Sequence, residues 1–364
     1  MKLLVNAPIN ALSFGNVAVN ILRELQKKNI ELIFFPIGDK AELDAYDKIS
    51  LDFVKYLQTS TNQRFEKIDK DIPSLKLWHI FGSESRYVRN QSLFTFHEVS
   101  QVTSIEKNLL NLQDAIFVTS NYTKRIFEIN GIENVKYVPL GFDPDFHVTN
   151  KTYLEDKVHF GLLGKFESRK NTARIIKTWL KLFGNKSEYQ LSCAISNPFL
   201  DKARFQNEIL KVLEGKQYNN INFVPHMQTN SEVNDFLNSI DIDLGGLSGG
   251  EGWNLPSFNA TALGKWSVVL NATAHKDWAT ADNSILIEPS SLRDCYDDVF
   301  FKKGQLFNQG QFFDISDQEI ENAILKSISY AKKLNTEGLK LQSQFTYEKT
   351  VETLLSAISS QVAQ

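Results

Sequence analysis

The chain has little of what would place it in several large protein classes. Only two cysteines, Cys193 and Cys295, occur in 364 residues. They lie far apart, which argues against a disulfide framework or a cysteine-based zinc site and reads as two buried free thiols. No apolar run approaches the ~20 residues that span a membrane. Met1-Lys-Leu-Leu-Val-Asn6 is too short an apolar stretch for a signal peptide. A reducing, cytoplasmic setting is the expectation, and there the Asn-x-Ser/Thr triplets at Asn121, Asn150, Asn185 and Asn271 carry no meaning. Positive charge is not in excess either: 40 Lys and Arg stand against 43 Asp and Glu, a net charge of -3. A broad nucleic-acid-binding face is therefore disfavoured, while a local basic patch stays open. Internal repeats of solenoid period and low-complexity tracts are absent too. Oligomeric state has no signature.

What is present is the balance of a globular protein, 42% hydrophobic and 23% charged, with a length that suits two domains. Lys2–Pro8 reads as a buried strand. A loop with Phe14-Gly15-Asn16 follows, then a helix with apolar positions at 17, 18, 21, 22 and 25, then a strand at Glu31–Pro36. Strand, loop, helix and strand make a βαβ unit and imply a parallel sheet. Further strands are predicted at Leu75–Phe81, Ser92–Phe96, Ala115–Val118 and Val135–Val138. The polar stretch His147–Lys157 reads as a linker. A second series follows, with strands at Lys157–Leu163, Tyr189–Ile195, Ile221–Val224, Asp241–Leu244, Ser267–Leu270 and Ser284–Ile287. Its helices are predicted at Thr172–Phe183, Glu319–Asn335 and Tyr347–Ser360. The expectation is an α/β chain of two doubly wound, Rossmann-like domains, 1–150 and 151–346, facing each other across a cleft. Residues 347–364 should pack back on the first. In such sheets ligands bind beyond the carboxyl ends of the strands.

Three motifs sit at predicted strand ends. Ser248-Gly-Gly-Glu-Gly-Trp-Asn-Leu-Pro256 follows a strand and leads into a helix with proline in its first turn. Glycines there leave backbone N–H groups unshielded, and a helix N-terminus binds anions, a diphosphate being the natural ligand. The bland alternative is a tight turn without a ligand. Gly164, Lys165, Arg169 and Lys170 follow another strand, where cations would face the cleft and neutralise phosphate. The alternative there is a solvated basic turn. His97, in Phe94-Thr-Phe-His-Glu98, could donate to a sugar hydroxyl, although a lone histidine is more often structural. The pairs Asp143-Pro-Asp145 and Asp241-Ile-Asp243 match a manganese motif of another fold, but one lies in a turn and the other starts a buried strand, so no metal is expected.

At these residues the chain resembles the large retaining family of GT-B glycosyltransferases. That family carries Glu-Gly-Phe-Gly-Leu-Pro-x-x-Glu-Ala-x-Ala-x-Gly. This chain has Glu251-Gly-Trp-Asn-Leu-Pro-Ser-Phe-Asn259-Ala-Thr-Ala-Leu-Gly264. Gly164-Lys165 and Lys170-Asn171 stand where the family has Gly-Arg and Lys-Gly. Pro139-Leu-Gly-Phe-Asp143 matches its interdomain turn, and Phe345-Thr-Tyr-Glu348 echoes its late Phe-Ser-Trp-Glu.

The resemblance implies a metal-independent hexosyltransferase without a cofactor, taking a nucleotide-sugar co-substrate; UDP-sugar is favoured over GDP-sugar, with the base itself not readable from the sequence. Lys165 and Lys170 would hold the donor diphosphate with Gly164 and Arg169 beside them. Glu251 would hold the sugar's hydroxyls. Gly249, Gly250, Gly252, Trp253, Asn254 and Leu255 would line the phosphate and sugar, His97 would touch the sugar, and the Phe14–Asn16 loop with Gly15 would close over the phosphates or face the acceptor. Two positions depart from the family: Asn259 replaces the ribose-binding glutamate and Asn254 replaces a glycine. The acceptor stays open between a glycan or lipid-linked glycan and hydroxymethylated bases of phage DNA. Asn271-Ala-Thr-Ala-His-Lys-Asp-Trp278 and Phe307-Asn-Gln-Gly310 resemble phage-encoded members, whose setting would be the host cytoplasm. A DNA acceptor should gather basic residues such as Arg64, Lys67, Lys70, Arg86, Arg89, Lys124 and Arg125 at the cleft. A third reading is a nucleotide-sugar-binding protein that has lost catalysis.

Overall fold

The computed structural model describes residues 1–38, 40–197, 199–297 and 299–362; positions 363 and 364 of the expected C-terminal segment lie outside the described residues. The first half runs β1 (Lys2–Pro8), α1 (Ser13–Lys27), β2 (Glu31–Ile37), α2 (Leu51–Asn62), β3 (Pro73–Leu77), β4 (Asn90–Thr95), α3 (Ser104–Asn111), β5 (Ala115–Val118), α4 (Asn121–Ile129) and β6 (Val135–Tyr137). Its six strands are all parallel, in the order β2-β1-β3-β4-β5-β6. Strands covered on both faces must be apolar throughout, and β1 is buried from Leu3 to Pro8.

The second half repeats the plan. It runs β7 (Val158–Lys165), α5 (Thr172–Phe183), β8 (Tyr189–Ser196), α6 (Lys202–Val212), β9 (Ile221–Phe223), α7 (Asn230–Ser239), β10 (Ile242–Asp243), α8 (Leu255–Ala262), β11 (Trp266–Leu270) and β12 (Ser284–Ile287). These strands are also parallel, in the order β12-β11-β10-β7-β8-β9. An antiparallel ribbon of β13 (Ser291–Asp294) and β14 (Gln311–Asp314) follows, then α9 (Asp317–Ser327), α10 (Thr336–Leu339), α11 (Leu341–Gln344) and α12 (Tyr347–Val362). Capping boxes begin three helices: Thr103 with Glu106 at α3, Thr229 with Glu232 at α7, and Ser316 with Glu319 at α9.

The last helix belongs physically to the first sheet. Tyr347, Val351, Leu354, Ala357 and Ile358 recur at helical spacing and join the core that contains the buried face of α1. The turn at Pro139–Asp143 meets the residues before α12, with the Phe142 amide donating to the Phe345 carbonyl at 2.9 Å. Gly141 allows that approach, because a Cβ there would lie 2.1 Å from the Tyr347 nitrogen. Residues 147–157 carry neither helix nor strand. No helix among the described residues is long and apolar enough to cross a membrane.

The sheets have the doubly wound plan expected from sequence, and several elements differ in extent. Phe14-Gly15-Asn16 is not a loop but the first turn of α1, closed by the Asn16 amide on the Leu12 carbonyl at 2.8 Å. The strand expected to run to Phe81 stops at Leu77, because the chain turns back through Gly82 at φ 82° and Lys76 holds that turn by its Gly82 and Ser85 carbonyls. The helix expected to reach Asn335 ends at Ser327 and passes into a 3-10 turn. Lys332, at φ 58°, is turned there to bond the Leu154 carbonyl at 2.9 Å and Asp241 at 3.0 Å. The ribbon β13–β14 had no counterpart in the sequence reading.

Candidate functional site

The order β2-β1-β3 in one sheet and β10-β7-β8 in the other reverses the winding direction at β1/β3 and at β7/β10. A crevice opens beyond the carboxyl ends of strands at such points. A cavity of about 240 Å³ lies there, lined by residues 11–13, Phe96, Glu98, Leu140, Gly164, Lys165, Arg169, Lys170 and residues 251–256. Lys165 is the last residue of β7, and a 3-10 turn at Ser168–Lys170 carries the next two cations. The turn is locked by Asn171, at φ 54°, whose amide donates to the Leu247 carbonyl at 2.8 Å.

The floor of the cavity is a compact ion cluster. The Arg169 guanidinium is 6% exposed and lies 3.1 Å from Glu251, 3.0 Å from Glu167 and 3.3 Å from Glu98. Lys170 Nζ is 2.6 Å from Glu251 Oε1, and Lys165 Nζ is 3.7 Å from Glu167. Burial alone would raise the Glu251 carboxyl, but Lys170 and Arg169 outweigh it and hold the acid well below the usual carboxylate range. Glu98 behaves oppositely: burial raises its carboxyl, and the nearby Glu251 and Glu167 charges add to that against the pull of Arg169.

The loop into α8 is braced from behind. Asn254 takes a left-handed conformation, φ 67°, and its amide nitrogen donates to the Gly245 carbonyl at 3.1 Å and meets His275 Nε2 at 3.0 Å. His275 Nδ1 lies 2.8 Å from the Leu270 carbonyl, so the imidazole is neutral, with Nδ1 donating and Nε2 accepting. Burial pushes His275 down to about 4. Thr273 Oγ1 accepts from the Glu251 amide at 3.1 Å, and Trp278 Nε1 donates to the Trp253 carbonyl at 3.0 Å. Asn171 and Asn254 both stand where the resembled family has glycine. Both have positive φ, a region asparagine tolerates better than other side-chain-bearing residues.

Of the residues singled out from sequence, Gly164, Lys165, Arg169, Lys170, Glu251, Gly252, Trp253, Asn254 and Leu255 line this cavity. Five do not. His97 is buried, with Nε2 3.0 Å from the Gln101 carbonyl and its ring edge-on to Phe127. Past the end of β4 the alternation of side chains sends Phe96 and Glu98 to the cleft and His97 into the domain. Gly15 packs beneath Asn10, where a Cβ would meet the Asn10 carbonyl oxygen at 2.2 Å. Gly249 and Gly250 lie behind the cavity rather than in its wall. The Gly249 amide is taken by the Arg169 carbonyl at 2.9 Å, and the Gly250 carbonyl accepts from the Arg169 guanidinium. Their small size serves the ribbon, since a Cβ on Gly249 would lie 2.1 Å from the Phe313 carbonyl. The amides of 249 and 251 are thus not free, which corrects the picture of an unshielded loop. Asn259 is buried on α8, and its Oδ1 has no partner.

Sequence reasoning missed His79, Glu98, Thr273, His275 and Trp278. His79 was hidden inside an overlong strand. Both Asp-x-Asp pairs are held in place by hydrogen bonds and ion pairs. Asp143 accepts from Asn16 and Asn20, Asp145 pairs with Arg23 at 3.1 Å, and Asp241 accepts from the His159 amide. None of Arg64, Lys67, Lys70, Arg86, Arg89, Lys124 and Arg125 lines the cavity. Lys70, Arg86 and Arg89 instead gather near Asn90, at the amino end of β4, bonded to the Tyr87 carbonyl, Asp114 and Asp71.

Comparison with solved structures decides the architecture. The chain aligns over 99% of its length with 100% of Anabaena HepE in complex with UDP-glucose, at 13% identity and a TM-score of 0.66. It aligns over 100% of its length with 99% of sucrose-phosphate synthase from Thermosynechococcus elongatus, at 12% identity and a TM-score of 0.69. A glycosyltransferase from Rickettsia africae ESF-5 matches at 12% identity and a TM-score of 0.66, over 99% of this chain and 98% of its own. The fold is GT-B. No family model and no curated protein matches the sequence. Within this GT-B frame the cavity lies between the two sheets, and its cations come from the second.

Proposed function

We propose that the chain is a metal-independent, retaining glycosyltransferase that moves a hexose from a nucleotide-diphosphate sugar, with UDP favoured, to a hydroxyl of a glycan or lipid-linked glycan. The observation that carries this reading is the Lys165–Arg169–Lys170 turn converging with Glu251 at the mouth of α8. The N-terminus of α8 has no side-chain cap and adds its partial positive charge to that of the lysines. Such a site suits a leaving diphosphate, whose charge grows as the bond to the sugar breaks.

Lys170 is bound to Glu251. An incoming phosphate would draw Lys170 toward itself and free Glu251 oxygens for the sugar hydroxyls. Retention and the roles of Lys165, Lys170 and Glu251 rest on the Glu251-to-Gly264 resemblance. Asn259, buried with an unpartnered Oδ1, is our candidate for the nucleotide ribose in place of the family's glutamate. We place the acceptor domain at 1–150, joined by α12, and the donor domain at 151–346. A glycan acceptor is preferred to DNA because the seven basic residues named above are absent from the cavity wall. Thermal shift with UDP-, GDP- and ADP-glucose tests the donor site, since a ligand that binds only the folded state raises the melting temperature. A shift with UDP-glucose and UDP release that disappears in Glu251→Gln support the enzyme. No shift with any of the three sinks it, and tight binding without turnover leaves a binding protein.

A further inference from the structure

A second cavity, of about 180 Å³, adjoins the first and shares Leu12, Ser13, Phe96, Glu98, Lys165 and Arg169 with it. We propose that this cavity is the acceptor subsite, that it takes an uncharged sugar ring, and that Glu98 accepts a hydrogen bond from the hydroxyl that attacks the donor. The proposal rests on the donor reading of the neighbouring cavity.

The walls decide the ligand class. Phe14 stacks on Phe96 with centroids 4.2 Å apart and lies 4.6 Å from His79, and Trp78 completes this side. From the other domain, Phe199 and Phe300 pack together at 5.7 Å and face the same space. Aromatic faces cover the C–H face of a sugar ring, while its hydroxyl edge needs hydrogen-bond acceptors. Glu98 and Glu167 supply those acceptors on the floor. Burial, helped by the Lys165 charge, pushes His79 down to about 4, so it is neutral at physiological pH. A polyanion would meet two carboxylates here. The cations lining this cavity, Lys165 and Arg169, are both paired with carboxylates.

Glu98 occupies the boundary and, among the described residues, is the one carboxylate that lines both cavities. An acceptor hydroxyl held by it would sit between the aromatic wall and the Glu251 loop. In the transfer, the hydroxyl oxygen forms the new bond to the anomeric carbon. The old carbon–oxygen bond breaks with its electron pair going to the diphosphate. As the new bond forms, the hydroxyl's single proton turns from Glu98 to the diphosphate oxygen that departs on the same face and leaves with it. Glu98 orients that hydroxyl and takes no covalent part.

The test uses methyl α- and β-hexopyranosides as probes on the full chain. Saturation-transfer NMR reads their binding directly, and UDP release from UDP-glucose reads transfer. We expect ring protons of at least one hexoside to receive saturation. Trp78→Ala and Phe300→Ala, which truncate half-buried side chains on opposite walls, should each weaken that binding about tenfold, ~1.4 kcal/mol. UDP-glucose affinity in both should stay within about twofold of the parent. Glu98→Gln should lower turnover of the hexoside while retaining its NMR contact. Hexoside binding indifferent to both aromatic truncations would overturn the site. Glucosylation of a hydroxymethylcytosine oligonucleotide, with no hexoside touching the protein, would overturn the ligand class. Failure of UDP-glucose to bind defeats the donor reading instead, and the NMR result then stands by itself.

Discussion

Replacing Arg169 by methionine probes the ion cluster most directly. The substitution keeps much of the side-chain volume and removes the charge. In the parent, Lys165, Arg169 and Lys170 face Glu98, Glu167 and Glu251. The variant leaves those three carboxylates with the two lysines. Removing one partner from a buried ion pair costs about 3–5 kcal/mol, because the other charge stays buried and uncompensated. The Gly250 carbonyl also loses its guanidinium donor. The Glu98 side chain is 26% exposed and can partly hydrate, which keeps the total within that range. At roughly 2–4 °C per kcal/mol, the second domain should melt on the order of 10 °C lower. The deficit should also depend on pH. The Glu98 carboxyl is raised in the folded protein, chiefly by burial, and losing Arg169 raises it further. A group raised in this way takes up a proton more readily folded than unfolded. Its penalty is therefore absent below the unfolded glutamate value, about 4.3, and grows as pH rises through the folded value. Scanning fluorimetry between pH 5 and 8 should show the deficit shrinking toward the acid end. A variant that melts within about 1 °C of the parent at pH 8, or a deficit that grows on acidification, refutes the argument.

Gly249→Ala should prevent the loop from closing on β14, because its Cβ would meet the Phe313 backbone oxygen at 2.1 Å and backbone cannot yield cheaply; circular dichroism melts should show a large loss. Gly252→Ala would set its Cβ 2.9 Å from Phe96 Cβ and 3.6 Å from Phe96 Cα, atoms fixed by the backbone, so the chain after β4 must move; weaker UDP-glucose binding and a lowered melt, smaller than that of Gly249→Ala, are expected. Asn254→Ala should cost more than Asn254→Gly in urea unfolding: alanine keeps the left-handed strain of about 1–2 kcal/mol and loses the Gly245 and His275 bonds, whereas glycine removes the strain. An equal loss in both would show that the φ of residue 254 is not constraining. His275, lowered by burial to about 4, contributes stability that is present above its unfolded value of about 6.5 and is lost as pH falls toward 4. His275→Gln should flatten the slope of stability against pH in that window by up to ~1.4 kcal/mol per pH unit, and an unchanged slope would argue that His275 is already charged.

The sequence by itself determined the two parallel sheets, because strands buried on both faces must be continuous apolar runs and their crossover helices must show helical spacing. It also located the Lys165–Lys170 turn and the 249–256 loop, since glycines and cations after a strand are local signals. The ends of elements were less legible. Gly15 reads as a loop residue, but it lies in the first turn of α1, closely under Asn10. His97 and Glu98 are adjacent and alternate to opposite sides beyond β4, and which side meets the cleft is settled only by packing: Glu98 lines the cavity while His97 turns to Gln101 and Phe127. The three carboxylates around Arg169 come from positions 98, 167 and 251, and the brace behind Asn254 from Thr273, His275 and Trp278. No spacing along the chain announces such groups. Periodicity records which face of an element is buried, whereas the contacts between elements depend on how the two sheets meet, and that is fixed only when the whole chain has packed.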